Sequence, residues 1–372
     1  MTMRIAFYLP YLAVGGAEKS TLWMVREIRA RGYDVRLIVD RRGGPLDASF
    51  AEAAPVRYLD APRTAFAGPA LAKAVKDEAP DVLVATMTHN ILTAALMKRL
   101  GMIRTPLIGW EHAVLSPMRA ARGLRGKVEA RMIRALYPVC DKIVCVSKGA
   151  ADDAVALCAP AHINVTFAYN PVPKPQIGAL SATEQALVAR LKPPRIVSLG
   201  RLNAAKDYRT LMRAFQYFAR TQNAGSLLLI GDGEQRNALE SAATGFGLGD
   251  RIVFAGAVDN PASLLAQCDL FVSSSLTESF GIAIVEAMSV GLPVIATDCP
   301  TAPREILDDG KYGALTPVGD AQALARAMRE ALQTDHDKDA LRARAAEFSV
   351  ERAADAFLAA LGADAPPRQA AA

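Results

Sequence analysis

The sequence predicts an α/β protein made of two doubly wound domains, each a parallel sheet with helices on both faces. Three observations carry this. Short apolar, β-branched runs alternate with helical stretches, the rhythm of a parallel sheet covered by crossover helices. The rhythm breaks once, at Pro171-Val172-Pro173-Lys174-Pro175, and then restarts. The length, 372 residues, exceeds what one hydrophobic core usually organises.

The first set of runs is RIAFYLP (4–10), DVRLIVD (34–40), DVLVATM (81–87), PLIGWEH (106–112), KIVCVSK (142–148) and INVTFAYN (163–170). Three prolines in five residues continue neither a helix nor a central strand, and they hold the chain semi-extended, as an interdomain connection requires. The second set is RIVSLGR (195–201), SLLLIGD (226–232), RIVFAG (251–256), LFVSSS (270–275) and PVIATD (293–298). Helices end the chain, the last near 350–361 with Ala353, Ala354, Phe357 and Leu361 on one face. The expected division is 1–170 and 171–349, with the helix at 350–362 packing back on the first domain. Two such sheets are expected to face each other across a cleft at the carboxyl ends of their strands, so functional residues are sought in the loops that follow the strands.

Hydrophobic residues make up 51% and charged residues 22%, which argues against disorder outside 366–372. Five cysteines, Cys140, Cys145, Cys158, Cys268 and Cys299, form no C-x-x-C spacing, so neither a disulfide framework nor a zinc site is expected and a reducing cytosol fits. The start MTMRIAFYLP shows no basic-then-apolar leader, and no apolar run approaches 18 residues; a chain neither exported nor membrane-spanning is expected. Charge is uneven. Residues 1–175 hold 24 Lys/Arg against 15 Asp/Glu, and the remainder 19 against 23. A basic first half can attract nucleic acid, anionic lipid or a phosphorylated substrate, and motifs must choose among these.

After LFVSSS the chain continues Leu276-Thr277-Glu278-Ser279-Phe280-Gly281-Ile282-Ala283-Ile284-Val285-Glu286. Gly281 opens a helix whose free N–H groups and positive dipole end suit a diphosphate. Glu278 and Glu286 suit hydroxyls of a sugar or ribose, because a carboxylate beside phosphate would repel it. Alone, the pair reads more readily as solvated helix-end charge. RIVSLGR ends in Gly200-Arg201, and Lys206 follows, so two cations stand where charge develops on a leaving diphosphate. Gly231-Asp232-Gly233-Glu234 is a weakly specific turn. In the first domain, Gly15 and Gly16 allow close approach of backbone to a ligand and supply positive φ where needed. The missing third glycine of G-x-G-x-x-G makes a nicotinamide reading poor, although Asp40 stands at a plausible distance for a ribose contact. PLIGWEH delivers Glu111 and His112 to the same edge, and His89, His162 and His336 show no mutual metal spacing.

With these residues in hand the chain resembles the large retaining glycosyltransferase family four, with its GT-B fold: Gly15-Gly16, His112, Gly200-Arg201 with Lys206, and the E-x7-E segment from Glu278 to Glu286 followed by Ala287-Met288-Ser289-Val290-Gly291-Leu292-Pro293. The resemblance implies that Glu278 contacts sugar hydroxyls, that backbone from Ser279 and Phe280 through Gly281, Ile282 and Ala283 meets phosphate, and that Glu286 holds the ribose. It further implies that Arg201 and Lys206 stabilise the departing nucleoside diphosphate, that Gly16 admits phosphate, that His112 contacts the transferred sugar, and that main chain around Gly256 and Val258 reads the base. Retention is described in this family as front-face attack assisted by the leaving phosphate, so no nucleophile is required; no carboxylate pair for double displacement is assignable here. No D-x-D signature ends a strand, and Asp308-Asp309 lies in a polar turn, so metal independence is expected, with no cofactor beyond the nucleotide sugar. Asp298-Cys299-Pro300-Thr301-Ala302-Pro303-Arg304-Glu305-Ile306-Leu307 resembles a motif of bacterial enzymes that add hexoses or hexosamines to lipid-linked oligosaccharides or capsular polymers, commonly from UDP-sugars.

Six basic residues, Arg119, Arg122, Arg125, Lys127, Arg131 and Arg134, stand against one acid, Glu129. Helical spacing puts Lys127, Arg131 and Arg134 on one face and Val128, Met132 and Leu136 on another, read here as the core side. The cationic stripe is expected to meet the anionic inner membrane surface or the diphosphate of a polyprenyl-linked acceptor, which implies a peripheral place on the cytoplasmic face of the membrane. Two other classes use the same donor site: a GT-B-like nucleotide-sugar epimerase and a noncatalytic nucleotide-sugar-binding protein. Nucleic-acid binding is disfavoured, since the basic segment lacks interleaved aromatics.

Overall fold

The computed structural model describes residues 2–116, 123–222 and 224–362, the side chains of 221 and 222 excepted. Arg119, Arg122 and the 366–372 tail expected to be disordered lie outside the described residues. The chain divides into two compact units, Met1–Pro173 with Ser349–Ala372, and Lys174–Phe348.

The first unit carries strands β1 (Arg4–Leu9), β2 (Asp34–Val39), β3 (Val56–Tyr58), β4 (Val82–Thr86), β5 (Leu107–Glu111), β6 (Lys142–Cys145) and β7 (Val165–Phe167). They form one parallel sheet in the order β3-β2-β1-β4-β5-β6-β7. Its helices are α1 (Gly16–Ala30), α2 (Asp47–Ala53), α3 (Gly68–Glu78), α4 (Thr88–Arg99), α5 (Gly123–Leu136) and α6 (Lys148–Cys158). Strands β1, β4 and β5 are buried almost throughout because crossover helices cover both faces, which is why they read as unbroken apolar runs. Helix α1 buries Leu22, Val25 and Ile28 at helical spacing.

The second unit carries β8 (Arg195–Leu199), β9 (Ser226–Ile230), β10 (Ile252–Gly256), β11 (Leu270–Ser273), β12 (Val294–Thr297) and β13 (Ala314–Thr316) in the parallel order β10-β9-β8-β11-β12-β13. Its helices are α7 (Ala182–Ala189), α8 (Tyr208–Gln222), α9 (Arg236–Gly245), α10 (Ala262–Leu265), α11 (Ile282–Ser289), α12 (Ala302–Ile306), α13 (Ala321–Gln333) and α14 (Lys338–Ala346). Leu211, Met212, Phe215 and Phe218 of α8 join Leu227, Leu229, Leu324 and Met328 in its core.

Helix α15 (Val350–Leu361) belongs to the first unit, reached from the second at Ser349, which pairs with Val172 in a parallel bridge. Ser349 caps it by accepting from the Arg352 N–H at 3.4 Å. Phe357 stacks on Phe7 and tilts against Trp110, with ring centroids 6.1 and 4.7 Å away. Arg31, which follows α1, donates to Asp355 at 2.5 Å and to the Glu351 carbonyl at 2.8 Å, and Lys142 donates to the Ala360 carbonyl.

In each sheet the strand order reverses between the first and fourth strands, β1 and β4 in one unit and β8 and β11 in the other. Beyond the carboxyl ends of such a pair the connecting loops run to opposite sides and leave a crevice, the position at which open α/β sheets bind ligands.

Candidate functional site

The switch point of the second unit brings the sequence-predicted residues together. Gly200 and Arg201 follow β8, Lys206 ends a 3-10 turn over Ala204–Lys206, and Glu278 sits in the loop after β11. Although 72 residues apart in sequence, the Lys206 ammonium donates to Glu278 Oε1, which also accepts from Ser275 Oγ at 2.8 Å. The two side chains are 23% and 11% exposed, so the pair is partly shielded from water yet reachable. Ser274 Oγ donates to the carbonyls of Lys206 and Asp207 at 2.8 and 3.1 Å, and the Leu276 N–H donates to Ala205 at 2.8 Å. The loops after β8 and β11 are thus stitched through backbone as well as through the ion pair.

Two supports went unforeseen in the sequence. Thr301 Oγ1 donates to the Glu278 carbonyl at 2.5 Å, and the two residues form a parallel bridge. Thr301 does this at φ +89, backbone that costs an L-residue energy and persists only where its surroundings hold it. The proline-flanked Asp298-to-Leu307 motif therefore fixes the Glu278 loop; Arg304 ties it further by donating to Asp298 and, at 3.0 Å, to Asp309. The second support is glycine. At Gly231, φ +136, a Cβ would overlap the Gly200 carbonyl oxygen and lie 2.9 Å from its carbon, while one at Gly233 would stand 2.5 Å from the Leu202 oxygen. The Gly231-Asp232-Gly233 turn is a close backbone approach that lets the Gly200–Leu202 loop lie flat against it.

Gly281, which has no side chain to cap with, is the N-cap of α11 at φ +94. Phe280 is buried edge-on against Phe348 at 5.5 Å and anchors the turn from below. Ser279, Ile282, Ala283 and Glu286 remain partly exposed, the helical neighbours Ile282 and Glu286 on one side of α11. Val258, beyond Gly256, lines a separate groove of about 530 Å³ with Gln176, Asn260 and Ser263.

In the first unit Gly15 caps α1 at φ −153, an extended conformation, and Gly16 opens the helix half a turn from Glu18. Positive φ is thus not what Gly15 supplies, a correction to the sequence reading. Asp40 is not placed for ribose either: it is fully buried and accepts from the Tyr8 hydroxyl at 2.7 Å, and burial raises its carboxyl above the ordinary range. Glu111 is likewise internal. It accepts from Thr88 Oγ1 at 2.8 Å, from the Tyr137 hydroxyl and from the Ala113 N–H at 2.8 Å, so it anchors the turn that carries His112. Glu111→Gln, which puts an amide N–H among three donors, is expected to lower stability by about 1–3 kcal/mol in urea unfolding.

His112 packs on Trp110 with ring centroids 4.5 Å apart, and among the described residues neither of its buried ring nitrogens has a hydrogen-bond partner. Burial drives its pKa from 6.5 down to about 3. The ring is therefore neutral at physiological pH. Because the unfolded chain binds this proton below about 6.5 and the folded chain not until about 3, His112 makes stability fall as pH falls through that window. NMR of the imidazole is expected to show no titration between pH 5 and 8; a midpoint near 6.5 contradicts this reading.

Helix α5 requires a further correction. Its buried residues are Gly126, Ile133 and Leu136, whereas Val128 and Met132, expected on the core side, are 54% and 42% exposed. Lys127, Arg131 and Arg134 are exposed, and Arg134 Nε donates to the Leu157 carbonyl at 2.8 Å.

Two Rossmann-like units with an acid–cation pair at one switch point define an α/β protein of the GT-B class, and the comparisons agree. The family described as Glycosyltransferase Family 4 matches residues 14–173, and Glycosyl transferases group 1 matches 182–348. The chain belongs to this family of glycosyltransferases. It is 28% identical over 251 residues to the N-acetylgalactosamine-N,N'-diacetylbacillosaminyl-diphospho-undecaprenol 4-alpha-N-acetylgalactosaminyltransferase of Campylobacter jejuni, covering 68% of this chain and 67% of that one. It is 33% identical to the lipopolysaccharide core biosynthesis glycosyltransferase LpsE of Rhizobium meliloti, covering 59% of this chain and 63% of LpsE. Among solved structures, Anabaena HepE in complex with UDP and glucose shares the fold at a TM-score of 0.80 and 22% identity, over 97% of this chain and 99% of that one.

Proposed function

We propose that this glycosyltransferase moves a hexose or N-acetylhexosamine from a UDP-sugar to a hydroxyl of a lipid-linked or polysaccharide acceptor, with retention of configuration and without a metal. The observation that carries the donor half is the Lys206–Glu278 pair at the β8/β11 switch point, beside an α11 N-terminus whose cap residue, Gly281, has no side chain. Lys206 and Arg201 neutralise the diphosphate, and the backbone from Ser279 to Ala283 donates to it. Gly200 keeps the floor of that site free of side chain. Glu278, held through Oε1, turns its other oxygen to sugar hydroxyls, and Glu286 takes the ribose. Gly15 and Gly16 leave room for phosphate at the start of α1, and neutral His112 donates or accepts a hydrogen bond at the sugar. The acceptor oxygen bonds to the anomeric carbon on the face from which the phosphate oxygen leaves, and the acceptor proton passes to that phosphate.

The relatives support this reading: HepE was solved with UDP and glucose, and the Campylobacter enzyme is named for a diphospho-undecaprenol substrate. Incubation with UDP-sugars and lipid-linked acceptors is expected to release UDP in step with acceptor elongation. Epimerised UDP-sugar formed without acceptor would instead establish the epimerase reading, and binding without any turnover the sensor reading. Activity is expected to survive EDTA, because Asp308 and Asp309 occupy left-handed turn positions, φ +50 and +52, with Asp309 on Arg304. Loss in EDTA restored by Mg²⁺ or Mn²⁺ overturns metal independence.

A further inference from the structure

Backbone N–H groups that leave a strand for a buried loop need acceptors, and the loop after β5 finds them on carboxylates. The Ala113 N–H donates to Glu111 Oε1 at 2.8 Å. The N–H groups of Leu115 and Ser116, where helical backbone begins, both donate to Asp153 Oδ2, at 2.7 and 3.0 Å. Such groups at a helix start have no partner within the helix, and one carboxylate satisfies two of them with charge-assisted bonds. Asp153 belongs to α6, which Ser147 caps just after β6 by accepting from the Ala150 N–H at 3.1 Å. Because β6 is the neighbour of β5, α6 brings this carboxylate to Leu115, 38 residues earlier in the chain. Cys145, the last residue of β6, feels both acids: burial, then the charges of Glu111 and Asp153, raise its thiol well above the ordinary range.

His112 lies between the two anchored stretches, and its own ring offers little to fix it. An imidazole is commonly oriented by a hydrogen bond to one of its nitrogens. Here neither nitrogen has a partner among the described residues, and the ring leans on Trp110 at a tilt of 49° with centroids 4.5 Å apart. A tilted aromatic contact leaves the ring able to turn, so its aim is set by the backbone that carries it. Glu111 holds that backbone one residue after His112, and Asp153 holds it three and four residues after. We propose that Asp153 is the positioning residue for His112: through Leu115 and Ser116 it fixes the loop so that the imidazole meets the transferred sugar in one orientation. The inference rests on the sugar role given to His112 above and adds a residue that acts only through another. An aspartate that merely stabilised the fold would lower the thermal midpoint and leave both the imidazole and kcat alone.

Asp153→Ala removes both bonds. It is expected to lower kcat by about tenfold to 10²-fold, the scale of an ångström's misplacement, with the donor KM and the stabilisation by UDP unchanged. NMR of the imidazole reports the loosening without turnover. In the wild type the ring does not titrate between pH 5 and 8; in Asp153→Ala, where the loop admits water, its midpoint should move from about 3 up toward 6.5. Asp153→Asn keeps an acceptor oxygen but loses the charge that strengthens both bonds, so it should fold, show both effects at reduced size, and carry the test if Asp153→Ala does not fold. Arg31→Ala, which removes the bonds to Asp355 and Glu351 in the same unit, is the control: a lower thermal midpoint with kcat and imidazole unchanged. In a His112→Ala background, Asp153→Ala should cost no further turnover. Wild-type kcat and an imidazole that still fails to titrate, in whichever Asp153 variant folds, overturn the proposal. So does a loss of kcat that Arg31→Ala reproduces at the same thermal midpoint. Full turnover by His112→Ala would instead remove the sugar role from His112, and the imidazole titration would then decide the positioning by itself.

Discussion

Lys206→Ala is expected to lower kcat/KM for the nucleotide sugar by about 10²–10³-fold, the cost of removing one preorganised charge from a developing anion. Lys206 is 23% exposed and its ammonium pairs with Glu278, so its removal strips positive charge from the switch point while disturbing little packing. Ser275 still holds Glu278, but the pair is largely shielded from water, so stability should fall by more than an exposed pair contributes, about 1–3 kcal/mol. The loss should appear mainly in kcat if Lys206 acts on the leaving diphosphate. Glu278→Gln combined with Lys206→Ala should cost less than the sum of the two, since the side chains touch. Full turnover by Lys206→Ala contradicts the assigned role.

Gly231→Ala is expected to be the most damaging single methyl in the second unit. The added Cβ meets the Gly200 carbonyl, which is backbone and cannot rotate away, and φ +136 is itself unfavourable for alanine. Relief requires the Gly200–Leu202 loop to lift from the Gly231–Gly233 turn, breaking the Leu202 N–H bond to the Asp232 carbonyl at 2.9 Å. A loss of about 3 kcal/mol or more follows, seen as a thermal midpoint lower by roughly 6–12 °C for a unit of this size. Because that loop carries Arg201 and leads to Lys206, the KM for donor should rise together with the instability. Gly249→Ala, whose Cβ would meet only Thr244 Oγ1 at 3.8 Å, serves as the quiet control.

The legibility of the chain follows from burial. Strands covered on both faces, such as β1, β4, β9 and β11, are continuous apolar runs and were readable at once. The edge strands β3 and β13 were missed, since Val-Arg-Tyr and Ala-Leu-Thr are three residues long and half-exposed, so neither run length nor alternation marks them. Gly200, Lys206, Glu278 and Gly281 were legible because strand-to-helix loops concentrate function. What sequence could not give was their pairing: that Lys206 meets Glu278, or that Thr301 steadies the latter, depends on β8 and β11 being neighbours across a reversal of strand order. Helix α5 shows the opposite failure. Of the stripe Val128, Met132 and Leu136, expected on the core side, Leu136 alone is buried; periodicity does not say which apolar face turns inward, and Gly126 and Ile133 stand where Val128 and Met132 are expected.

Hydrogen–deuterium exchange of the full chain with and without UDP tests the central assignment most directly. If the β8/β11 switch point grips the nucleotide diphosphate, protection should concentrate on residues 200–208 and on 276–288, and Lys206→Ala should weaken it in both. Protection that leaves both segments unchanged while appearing elsewhere in the second unit contradicts the assignment.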